Sequence, residues 1–312
     1  MKESRTRRQH TIPARRAAGR LRLTHFGAAA WRITDGRTTV YVDPYFSRLR
    51  TVKVFGTTFP PPSDDPRPVY DYDDVLVSDT AMIDRHVKRA DFILISHSHF
   101  NHCMDMPYIA RKTGAMVIGT ESTANLARAS GVPDRQLIPV HGGEDFEFGA
   151  ISIRVIPSLH SSLVIPSPYS LWDNCRYFDG REVPHDIQGP PRLKDHVEGG
   201  TLGYLIRFGT RRILVLCSMN YIEREMTGLE PNVALIPAAH WRLQVYDYTG
   251  RLMRALGMPP LVIATHWDMQ SASYGDPQDA QLAQAETFVR EVKAVSPGTR
   301  VIVPRHFETV DV

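Results

Sequence analysis

Asp91-Phe92-Ile93-Leu94-Ile95-Ser96-His97-Ser98-His99-Phe100-Asn101-His102 is an apolar run that ends in three histidines within six residues. The run is short and rich in aromatic and β-branched residues, which predicts a buried strand opening into a loop. In extended chain, side chains two apart point the same way, so His97 and His99 bring two imidazoles to one point beyond the strand end. His102 follows at the start of a predicted helix. Neutral imidazole is a good ligand for zinc, iron and related ions, and three nitrogens converging beside a free position is how catalytic zinc is held. A histidine-rich surface loop is the competing reading, and the placement at a strand exit weighs against it.

These residues resemble the signature of the metallo-β-lactamase fold superfamily of metal-dependent hydrolases, His-x-His-x-Asp-His at a strand exit, with Asn101 where that pattern has Asp. Other landmarks follow in order. Asp43 ends Val40-Tyr41-Val42-Asp43-Pro44, His160 follows Arg154-Val155-Ile156-Pro157-Ser158, and His266 follows Val262-Ile263-Ala264-Thr265. Within the superfamily the chain looks most like the branch containing L-ascorbate-6-phosphate lactonase and N-acyl-phosphatidylethanolamine phospholipase D. The likeness spans about residues 20 to 305.

The resemblance implies an α/β fold, a four-layer αββα sandwich of two mixed β-sheets flanked by helices, with all these exits at one edge. It implies a first metal on His97, His99 and His160, and a second on His102 and His266. Asp43 is expected to orient the histidines from behind rather than to ligate. Zn2+ is the expected ion, one firmly bound and a second weakly or not at all; Mn2+ and Fe2+ are compatible. The second is in doubt because Asn101 offers a neutral amide, and because Cys217-Ser218-Met219-Asn220 has no carboxylate where the family has a bridging Asp. Cys217 and Glu198 are the residues weighed as replacements, with a buried small hydrophobe the plainer role for Cys217.

At 312 residues with 42% hydrophobic content, the chain can bury a substantial core. Its net charge of +3 comes from residues 1–20, a basic tail with seven Lys/Arg against Glu3 that leaves 30 basic and 33 acidic residues elsewhere. The body is mildly acidic, which argues against nucleic acid as a partner. No apolar run reaches the ~20 residues of a membrane span. Arg7-Arg8 lacks the apolar stretch of an export signal, and Cys103, Cys175 and Cys217 have no paired spacing, so a reducing, cytoplasmic setting is expected.

Residues 21–312 read as one domain. Trp31 to Thr34 and Thr38 to Val42 flank Asp35-Gly36, a strong hairpin signal. Met104 to Lys112 and Ser122 to Ala129 predict helices, the second capped by Ser122 or Thr123. Tyr204 to Phe208 and Arg212 to Leu216 predict a second hairpin about Gly209-Thr210. Two irregular, proline-rich excursions, 47–86 and 161–200, interrupt this pattern and are expected to cover the cleft; Tyr169, Trp172, Tyr177 and Phe178 make the second partly apolar.

The expected chemistry is hydrolysis of a small-molecule ester, lactone or phosphodiester by metal-bound hydroxide, with Asn101 or His240 donating to the developing oxyanion. His240, at another strand exit, has a structural role as its alternative. His141, His185 and His196 read as loop residues. Two other function classes fit the histidine cluster: a metal-binding protein without turnover, suggested by the missing carboxylates, and an iron-dependent redox enzyme.

Overall fold

The computed structural model describes residues 20–51, 65–161 and 182–312. The basic tail up to residue 19, residues 52–64 of the first excursion and residues 162–181 of the second, with its four aromatics, lie outside the described residues.

Sixteen strands alternate with helices among the described residues. The first half supplies β1 (Arg22–His25), β2 (Trp31–Thr34), β3 (Thr39–Val42), β4 (Arg50–Thr51), β5 (Val69–Tyr70), β6 (Phe92–Leu94), β7 (Met116–Gly119) and β8 (Leu137–Pro139). The second supplies β9 (Asp145–Glu147), β10 (Ile151–Pro157), β11 (Leu202–Phe208), β12 (Arg211–Val215), β13 (Val233–Pro237), β14 (Leu261–Thr265), β15 (Arg300–Ile302) and β16 (Thr309–Asp311). Two seven-stranded sheets result, ordered β16-β1-β2-β3-β6-β7-β8 and β15-β14-β13-β12-β11-β10-β9; β4 and β5 pair separately. Each sheet is antiparallel on one flank and parallel on the other, changing at β3/β6 and at β12/β13.

Period-two side-chain placement makes three apolar layers from these strands. Trp31, Ile33, Val42 and Leu94 of one sheet meet Ile153, Tyr204, Ile206 and Ile263 of the other. Ile93, one residue from Leu94, instead faces outward to Ile83, Ile109 and Leu126 of the helices on that side. Leu205 and Leu214 do the same toward Leu252, Phe288 and Val292. This is the expected αββα sandwich, with both strand faces buried.

Local boundaries differ from the sequence reading in two informative places. From Phe100 onward the chain forms two helices, Phe100–Cys103, which carries His102, and Met106–Thr113, because Pro107 sits in the first turn of the second, where its missing N–H costs nothing. The next helix, Glu121–Ala129, is capped by Thr120, whose hydroxyl accepts from the Thr123 N–H, two or three residues earlier than Ser122 or Thr123 would place it.

Candidate metal centre

The sandwich brings strand exits from both sheets to one cavity of about 620 Å³, within the range of small-molecule sites. His97, His99, Asn101 and His102 come from the β6 exit, His160 from the β10 exit, Cys217 and Ser218 from the β12 exit, His240 from the β13 exit and His266 from the β14 exit. Leu49, Arg50, Asp65 and Arg67 of the first excursion form another wall.

Three imidazoles converge: the ligand atoms of His97, His99 and His160 all lie within 4.8 Å of one another. Their ring centroids are 4.7 to 4.9 Å apart, with near-perpendicular planes. His102 is 3.9 Å from His97, and His266 is 5.3 Å from His102, centroid to centroid. All five expected ligands therefore share one cluster.

Burial keeps four of these rings, those of His97, His99, His160 and His266, neutral. Desolvation, reinforced by neighbouring histidines, drives His97 and His99 far below the ordinary imidazole value. His160 falls to about 3 and His266 to about 4, both chiefly through burial. A neutral ring offers a lone pair, as a metal ligand must.

Asp43 fixes which nitrogen carries that lone pair. Its Oδ1 accepts from the Ser96 N–H at 2.7 Å and its Oδ2 from Ser96 Oγ at 2.5 Å and His102 Nδ1 at 2.6 Å. Ser96 has spent its single proton on Asp43, so at the 3.0 Å contact with His97 Nδ1 the ring must donate. His97 Nε2 is left as the acceptor. That atom is buried and has no hydrogen-bond partner among the described residues, a costly arrangement in a polar group that nothing binds. The residues present thus fit a metal ion. Tyr204 steadies the same loop from the opposite sheet by donating to the Ile95 carbonyl at 2.6 Å.

Several sequence expectations take a specific form. Asn101 is buried, and its Nδ2 donates to Gln270 Oε1 at 2.6 Å. Ser218 Oγ accepts from the Ser161 N–H at 2.8 Å. Burial beside Asp43 pushes the Cys217 thiol well up, against a thiolate ligand. Glu198 accepts from Thr201 at 2.8 Å and is not among the cavity-lining residues, so it does not stand in for a lost carboxylate. His240 lines the cavity with its ring tilted against that of Trp241, 4.3 Å between centroids. His196 lies in a loop, as read from the sequence, and is buried there, with its Nδ1 3.0 Å from the Arg192 carbonyl.

Sequence reasoning missed the wall that carries His266. Asp268 is fully buried; its Oδ2 takes Arg48 at 2.5 Å and His306 at 2.9 Å, and its Oδ1 takes the Ala28 N–H at 2.7 Å. Arg48 also donates to the carbonyls of Met269 and Ala272, which clamps the loop bearing Gln270. A Cβ at Gly27 would lie 2.4 Å from Arg48 and 3.0 Å from Asp268, so only glycine fits there. Eight described non-glycine residues have left-handed φ, and Ala28, Asp43, Arg48 and His266 are four of them. Strain of this kind, about 1–3 kcal/mol per residue, collects where a structure must aim side chains. No sequence signal marks this network beyond Asp268 lying two residues past His266.

Comparison with known proteins follows this geometry. Residues 22–215 match the family model described as the beta-lactamase superfamily domain. A UPF0173 metal-dependent hydrolase from Thermoplasma volcanium is 26% identical over 225 residues, 71% of this chain and 81% of that protein. Igni18, a metallo hydrolase from Ignicoccus hospitalis, superposes with a TM-score of 0.55 at 17% identity, over 94% of this chain and 98% of its own. CmlA, a diiron β-hydroxylase from Streptomyces venezuelae, gives 0.56 at 16% identity, over 94% of this chain and 54% of its own. At such identities the two structures speak for the fold alone.

Proposed function

The chain belongs to the beta-lactamase superfamily, and from that premise we propose that it is a metal-dependent hydrolase whose ion is held by His97, His99 and His160. The observation that carries this reading is the convergence of three neutral imidazoles from two sheets, two of them buried and one of these with an orphaned Nε2. Zinc is the ion that suits three nitrogens best, and such an ion acidifies water to a pKa of ~7 and polarises an acyl or phosphoryl oxygen.

The chain's own residues do the rest. Asp43 and Ser96 hold the His97 and His102 tautomers so that their Nε2 atoms face the cavity. Asn101, tied to Gln270, and His240 sit where a substrate oxygen can accept from them. Leu49, Arg50, Asp65 and Arg67 of the first excursion and Trp241 line the same cavity. The resemblance to lactonase and phosphodiesterase branches supports a small ester, lactone or phosphodiester as substrate, and the cavity volume fits a small molecule. UPF0173 relatives, named metal-dependent hydrolases, support the reaction class.

An iron-dependent oxidation is the second reading, because CmlA shares the fold and imidazole also suits iron. Elemental analysis and turnover decide between them. Purified protein is expected to carry zinc and to cleave members of a chromogenic ester, lactone and phosphodiester panel, with activity lost to a chelator and restored by Zn2+. Iron with a visible absorption band, and no hydrolysis, would reverse the choice.

A further inference from the structure

We infer that the cavity binds one divalent ion, and that hydrogen-bonded neutral pairs exclude a second from the side facing His102 and His266. The inference rests on the metal-dependent reading above and deepens it. Two divalent ions in one site stand about 3.5–4 Å apart and repel with four times the energy of two unit charges. Carboxylates around or between them must offset that repulsion.

Among the described residues, Asp43 and the carboxylates that line this cavity each have partners of their own. Asp43 spends both oxygens on Ser96 and His102. Asp268 is taken by Arg48, His306 and the Ala28 N–H. Asp65 is paired with Arg67 at 2.6 Å and Arg50 at 3.3 Å, and Asp276 accepts from the Ser273 N–H at 2.6 Å.

Two neutral pairs line the cavity together with His102 and His266. Asn101 and Gln270 bond to each other at 2.6 Å, and Ser161 and Ser218 share a hydroxyl contact at 3.0 Å. Ser161 Oγ is further held by the Met219 N–H at 3.0 Å. These groups satisfy one another, and none brings charge. His97, His99 and His160, with equally neutral rings, need offset only a single ion's charge, which water or substrate can share.

The test is metal stoichiometry, read without reference to activity. Chelator-stripped wild type is titrated with Zn2+ by calorimetry, and bound zinc is counted after dialysis. One equivalent per chain is expected, and two tightly held equivalents overturn the inference. No bound zinc takes down the metal-dependent reading itself and this inference with it. In the second arm, the Asn101→Asp, Ser218→Asp double variant supplies two carboxylates and is expected to bind a second equivalent, at least tenfold tighter than wild type does. If that variant keeps its circular dichroism spectrum and still binds one, the neutral pairs are not what excludes the second ion and the inference fails. Should the double variant not fold, Asn101→Asp alone is read the same way.

Discussion

The two sheets share a plan but load it differently. In each, an antiparallel flank meets a parallel one, and the strands at that junction, β3 and β6 in one sheet, β12 and β13 in the other, aim their exits at the cavity. In the first sheet the β3 exit carries Asp43, which braces the histidines of the neighbouring exit. The matching β12 exit carries Cys217 and Ser218, with no charge to spend. The second sheet does have a buried acid, Asp268, past the exit of β14 two strands away, but it is spent on a guanidinium. The same kind of group therefore does two jobs: beside an imidazole it sets a tautomer, and beside an arginine it fastens a loop. The partner decides which.

The largest expected effect tests this asymmetry directly. His97→Ala should weaken zinc binding by more than the ~10- to 100-fold typical of outer partners, whereas His266→Ala should leave the tight equivalent in place. Equal loss in both would erase the distinction between the two sides. Asp43→Ala should follow, with zinc affinity lowered ~10- to 100-fold as its histidines lose their fixed tautomer, measured by competition with a chromophoric chelator.

Arg48→Met sharpens the contrast from the other side. It leaves a buried carboxylate without its cation, so stability should drop by about 3–5 kcal/mol. Zinc affinity at the three histidines should change far less than in Asp43→Ala. Urea unfolding midpoints and the same chelator competition separate the two, and a matched fall in affinity would mean that Asp268 also serves the metal.

The smallest effect is on pH dependence. Burial holds His25 and His196 at about 4 in the folded chain, against 6.5 unfolded. Between those values the unfolded chain binds protons that the folded chain refuses, so stability is complete above pH 6.5 and falls as pH drops toward 4. Each ring contributes up to about 1.4 kcal/mol per pH unit in that window. Urea midpoints taken from pH 7.5 to 4.5 should show the decline, and His196→Asn should make it shallower; an unaltered slope would mean that His196 is not buried neutral.

Much of this was legible in the chain. Alternating apolar runs marked most of the strands, Asp35-Gly36 marked its hairpin, and the histidines at strand exits marked the cluster, because strand periodicity and ligand chemistry are local properties. The partners were not. Gln270 meets Asn101 across 169 residues and Arg48 meets Asp268 across 220. Nothing in the spacing of either pair selects it over other polar residues. The burial of His196 was hidden for the same reason, since burial belongs to the packed chain and cannot be read from a loop position.

The sequence by itself determined most strands and helices and the grouping of His97, His99 and His102, because these follow from residue type and short-range spacing, while its resemblance to the metallo-β-lactamase superfamily implied the αββα layering and added His160, His266 and Asp43. Only the tertiary structure decided which nitrogen of His97 is free, which acid braces an imidazole and which is locked to Arg48. Those outcomes depend on distances between segments far apart in the chain and on the loss of water around them, and neither is encoded within a few residues of the group concerned.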